Sequence, residues 1–259
     1  MSFKDWWTNE NNPSLPKSEY MFGTRHILML AIAILSAIII SIVFYKKSEK
    51  SKRIVLTILI SVLLFFEITS RAVNLIIAKE YTFENIFKII LPLHICSVAV
   101  CTIIISWFTK QKELINFSAI AGLLATIAFL LFPAVGINKT YISFTCLYSI
   151  VSHVTGFLVS ILLMTLGFAK FYFKDMWKTY LCFALMFLWG AVVDFLILPG
   201  ADYMYLRNDP LELNLSFPYH ILYLGIILFY ITTFYAIYYF ILRQKTKPAT
   251  KDQTQLLKK

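Results

Sequence analysis

Apolar positions gather into seven windows, at roughly 26–45, 54–78, 87–108, 114–134, 144–169, 177–198 and 217–242, separated by short polar segments. At about 1.5 Å per helical residue, each window is long enough to cross about 30 Å of hydrocarbon. The pattern predicts an all-α, polytopic membrane protein with seven transmembrane helices. It divides the chain into a polar extracytoplasmic leader (1–25), a transmembrane domain (26–242) and a basic cytoplasmic tail (243–259). The first window follows polar sequence and has no basic stretch at the very start, so no cleavable signal peptide is expected. Trp6 and Trp7 in the leader are expected to rest at the membrane interface.

Composition agrees with this reading. The chain is 59% hydrophobic with mean hydropathy +0.73 and only 15% charged residues, against about 25% in a soluble domain. A multi-pass protein of the cell membrane is expected. The net charge of +10 would suggest nucleic acid in a soluble protein. Here the basic residues flank apolar windows, which excludes a nucleic-acid partner in favour of topology and anionic headgroups. Sixteen Lys and Arg fall in the segments after windows one, three, five and seven, and seven fall on the other side. The positive-inside rule then puts the N-terminus outside and the C-terminus in the cytoplasm. The four cysteines have no paired zinc-ligand spacing, and Cys96 and Cys101 are poorly placed for a bridge within one helix. Neither a metal nor a cofactor is expected.

Candidate chemistry lies in the few ionisable residues inside the windows. His94 sits in the run Leu91-Pro92-Leu93-His94-Ile95-Cys96-Ser97. An ionisable ring at membrane depth is costly and points to function, and the proline beside it frees backbone groups. Helical rise puts His94 about 10 Å and His153 about 13 Å below the outer boundary. Glu67, Arg71, Asp194, His26 and His220 fall in the same outer half. Glu67, Arg71 and Asn74 form one helical stripe, Ser149, Ser152, His153 and Gly156 another, and His94, Ser97 and Cys101 a third. A polar chamber toward the outer side is expected. Each residue also has a plainer reading: an ion pair for Glu67 with Arg71, a carbonyl partner for His94, helix packing for His153, interface hydration for Asp194 and His220.

The His26 segment, Phe66-Glu67-Ile68, Leu91 to Ser97, Ser152-His153 and Gly200-Ala201-Asp202-Tyr203-Met204-Tyr205-Leu206 with Pro210 together resemble the YwaF-like family of bacterial integral membrane proteins. That family is distantly similar to eukaryotic multispan lipid enzymes: an ether-phospholipid acyltransferase that uses a cysteine, and androgen-induced hydrolases of lipid esters that use a threonine and a histidine. The resemblance implies acyl transfer or ester hydrolysis in the membrane, with membrane lipids as partners and a lipid acyl donor or acceptor as substrate. The acyltransferase's cysteine is expected just before the motif histidine, where this chain has Leu93. On a continuous helix, Cys96 would lie about 200° around from His94, so the two side chains would diverge.

Two mechanisms follow from different classes. Ester chemistry needs a base, a nucleophile and an orienting carboxylate. His94 or His153 could be the base and Glu67 or Asp194 the carboxylate, with Cys96, Ser97, Ser152 or a water as nucleophile. Arg71, Asp194, Tyr203, His26 and His220 are the candidates for substrate binding. No GxSxG elbow or zinc signature is present. The alternative is a transporter or small-molecule-binding membrane protein, for which buried carboxylates and a proline-interrupted helix also serve. A seven-span receptor or scaffold would have to act through its short loops alone.

Overall fold

A computed structural model describes residues 6–7, 12–78, 80–133, 136–207 and 219–245; the tail beyond 245, Pro210 and the His220 side chain lie outside the described residues. The described chain is all-helical. Its helices of eight or more residues are α1 (Thr24–Tyr45), α2 (Glu49–Ile77), α3 (Phe83–Ile90), α4 (Ile95–Thr109), α5 (Lys112–Leu131), α6 (Phe144–Thr165), α7 (Met176–Val192) and α8 (Tyr219–Lys245). A π-helical turn, Val193–Ile197, extends α7. Six spans are long and apolar enough to cross a membrane, and the pair α3 and α4 completes a seventh. α4 alone has 15 residues, about 22 Å of helix, and needs α3 to approach the full hydrocarbon thickness.

The third span is therefore broken, which corrects the expected continuous helix. α3 and α4 meet at 58°. Pro92 drives the preceding Leu91 out of the helical region, to φ −88° and ψ 148°, and has no amide hydrogen to continue the ladder. His94 follows with φ −77° and ψ 152° and is the N-cap of α4, not a member of it. The stripe of His94, Ser97 and Cys101 does not exist as one helical face, and the 200° separation of His94 from Cys96 no longer applies.

Helix starts use short polar caps. The hydroxyls of Ser48, Thr82 and Ser143 accept from the amides of Ser51, Asn85 and Cys146 and open α2, α3 and α6. α5 is the central helix: 67% of its apolar window is buried, against 17% for α1. Small residues let its neighbours close in. A Cβ at Gly122 would lie 2.4 Å from Ser160 Oγ and 2.9 Å from Ile103 Cδ1, so α4 and α6 both pack on the glycine's bare backbone. Leu56, Ile60, Leu63, Ile103, Ile120, Val159 and Leu162 fill the middle of the bundle and are almost wholly buried. The perimeter is apolar as well, with Ile32, Leu35, Ile39 and Ile42 of α1 exposed. That surface suits lipid.

The leader is tied down. Leu15 donates to Asn138 O at 2.8 Å, Thr140 donates to Pro13 O at 3.0 Å, and Arg25 reaches the carbonyls of Lys139 and Thr140. Trp7 packs on Phe144 with ring centroids 4.9 Å apart.

Candidate functional site

Breaking a helix strands carbonyls, and the residues that collect them define the bend. Arg71 Nη1 donates to Ile89 O at 3.0 Å and to Ile90 O at 2.6 Å, closing the end of α3. Its Nη2 pairs with Glu67 Oε2 at 2.8 Å and approaches Cys101 Sγ at 3.8 Å. The other Glu67 oxygen accepts from Tyr148 Oη at 2.7 Å. One guanidinium thus joins α2, α3, α4 and, through Glu67, α6. Both carboxylate oxygens are engaged. On the far side of the bend, Trp189 Nε1 of α7 donates to Pro92 O at 3.2 Å. Beneath it Leu93, Val193 and Leu198 form a small apolar core with Phe87, Leu91 and Tyr203 around it.

His94 emerges from this bracket exposed at the protein surface. Its ring stands edge-on to the Tyr203 ring with centroids 4.9 Å apart. The Tyr203 main chain and the Asp194 carboxylate are the polar groups acting on it. Asp194 belongs to the π-helical turn and is fully buried. Its Oδ1 accepts the Tyr203 amide hydrogen at 3.1 Å, whereas Oδ2 is buried without a hydrogen-bond partner among the described residues. An unpartnered carboxylate oxygen in a closed site is expensive and calls for an explanation, and π-turns recur at functional sites. Arg207 completes the wall. It donates to the Asp194 carbonyl and holds its guanidinium 4.3 Å over the Phe195 ring, with its own Nε buried and unpartnered among the described residues. The Tyr203 phenol, in the loop beyond the π-turn, is pushed above its ordinary value by desolvation. It therefore stays protonated near neutral pH.

The other candidates are dispersed. Cys96 is half-buried, and its thiol donates to Ala125 O at 3.8 Å. His153 stacks on Phe129 with ring centroids 3.6 Å apart, and its Nδ1 bonds Ser149 O at 2.7 Å. Ser152 Oγ is buried and has no hydrogen-bond partner among the described residues. His26 is fully buried with both nitrogens committed: Nδ1 accepts from the Phe22 amide at 2.9 Å, and Nε2 meets Leu130 O at 2.6 Å. Those partners fix the Nε2–H tautomer. The structure brings His94, Asp194 and Tyr203 together and joins Glu67 to Arg71. It gives His153 and His26 separate backbone partners.

Sequence reasoning missed Tyr148, Trp189 and Arg207. Tyr148 and Trp189 are polar-tipped aromatics inside apolar spans, where such rings are common, and Arg207 lies in the loop beyond the sixth span. Only the position of Arg207, shortly after a loop rich in aromatics, set it apart.

No curated protein and no solved structure matches the chain. A family model does match, over residues 21–242, which takes in all seven spans. The site just described lies wholly inside the matched region, and the chain belongs to the TMEM164 family, a family of multispan membrane proteins.

Proposed function

We propose that the protein acts on ester bonds of membrane lipids, by acyl transfer or hydrolysis, at the patch formed by His94, Asp194 and Tyr203. The observation that carries this reading is an exposed histidine packed on Tyr203 beside the buried Asp194 carboxylate, one oxygen of which has no hydrogen-bond partner among the described residues, at a helix break. An imidazole near neutral pKa is suited to general-base work, and a carboxylate behind it stabilises the imidazolium that forms. In the proposed step His94 removes the proton from an attacking water or lipid hydroxyl. The new acyl–oxygen bond forms, the ester C–O bond breaks, and the proton passes to the leaving alkoxide. The YwaF-like resemblance and its distant acyltransferase and hydrolase relatives support the same reaction class.

Within this reading Cys96 is not the nucleophile. Its thiol is turned to the Ala125 carbonyl of α5. Glu67 and Arg71 serve as the brace that holds the bend. The apolar middle of the bundle supports a one-sided site over a transport path.

Comparative lipid profiling tests the proposal in cells expressing wild type, His94→Ala, Asp194→Asn or Cys96→Ala. The expected result is an altered lipid profile with wild type and Cys96→Ala that both other variants abolish. Identical profiles in all four would overturn it.

A further inference from the structure

A cavity with a volume of about 560 Å³ lies at the opposite end of the bundle from His94. It opens where the start of α2, the α4–α5 turn and the α6–α7 connection converge. Lys52, Arg53, Lys110, Lys112, Lys170 and Lys178 stand around it. Three carboxylates share the lining and are already spoken for. Glu49 pairs with Arg53 at 2.7 Å, and Lys178 bridges Glu113 and Asp175 at 3.1 and 3.0 Å. Among the described residues, Lys52, Lys110, Lys112 and Lys170 have no carboxylate partner. The floor is different in kind, built from Trp107, Phe168 and the buried Tyr235.

Two features fix the main chain at two of these lysines. Lys110 caps α4 in the left-handed region at φ 58°, a position that glycine fills without strain and a lysine does not. Lys170 is clamped through its main chain by Asn116, which donates to its carbonyl at 2.8 Å and accepts from its amide at 2.9 Å. The positive-inside rule accounts for lysines at this end. It does not account for their convergence on one cavity with an aromatic floor.

We infer that this cavity binds a phosphate group, and that its aromatic floor fits it for the headgroup of an anionic phospholipid. Basic pockets between membrane helices bind such headgroups through charge and hydrogen bonds. Soluble phosphate monoesters carry the same chemistry, so the test separates the two sources. The full-length protein in phosphatidylcholine nanodiscs is titrated with phosphatidylglycerol, and separately with glycerol phosphate, while bound lipid is read by native mass spectrometry. The expected result is preferential retention of phosphatidylglycerol. Lys110→Gly should weaken it by about fivefold, and adding Lys170→Gln should weaken it about fivefold again. Lys110→Gly removes the charge at a position where glycine is unstrained, so its melting temperature should not fall. Displacement of the lipid by millimolar glycerol phosphate would assign the site to soluble phosphoanions. Retention of phosphatidylglycerol that is no better than that of phosphatidylcholine, or that is unchanged in the double variant, would overturn the inference.

Discussion

Arg71 of α2 donates to the carbonyl of Ile90 at 2.6 Å, across 19 residues of chain and a helix break. An intramembrane arginine would ordinarily point to substrate. Here its reach is spent on main-chain oxygens that Pro92 left without partners. The same side chain neutralises Glu67, whose side chain is only 6% exposed.

Arg71→Ala should accordingly destabilise the protein strongly. It leaves a buried carboxylate unpaired and two carbonyls open, a loss of about 3–5 kcal/mol. Arg71→Lys should recover only part, because an ammonium cannot fork between two carbonyls and a carboxylate. Thermal unfolding in neutral detergent checks the order wild type, Lys, Ala.

Trp189→Phe keeps the ring but removes the donor to Pro92 O. The expected cost is about 1 kcal/mol, read in the same unfolding assay, with the protein otherwise folded as wild type. A loss comparable to that of Arg71→Ala would mean that the bend depends on α7 as much as on α2.

Gly190 of α7 faces the loop that carries Tyr203. An added Cβ there would lie 2.3 Å from Met204 Cγ and 2.9 Å from Met204 Cβ. Met204 is fully buried, so the loop has to move. Gly190→Ala should cost about 1–3 kcal/mol and reduce lipid turnover by shifting Tyr203 away from His94. Full turnover with reduced stability would separate the loop's packing from its role at the site.

His26→Phe tests the histidine that has both nitrogens tied to backbone. Leaving the Phe22 amide and Leu130 carbonyl unmatched in a closed interior should cost about 2–4 kcal/mol. Turnover per folded molecule should be retained. A turnover defect exceeding the folding defect would return His26 to the substrate site.

The sequence makes the spans visible because lipid demands long apolar windows whatever the neighbours are. It also signals the break, since Pro92 restricts Leu91 locally. The closure of that break is invisible, because Arg71 and Ile90 meet through space and Glu67 meets Tyr148 across 81 residues. Asp194 and Tyr203 lie nine residues apart, yet only the π-turn and the returning loop decide that they touch. Histidines are the hardest to read. His26, His153 and His94 look alike as polar residues in apolar windows, and only their packing partners distinguish a tautomer-locked staple from an exposed ring.

The most direct measurement is ester turnover by purified protein in nanodiscs made from the lipids of the producing cell, compared between wild type and His94→Ala. The account predicts release or transfer of lipid acyl chains by wild type, and at least a 100-fold loss in His94→Ala with an unchanged melting temperature. Turnover by His94→Ala at the wild-type rate, or none by wild type above empty nanodiscs, would contradict it.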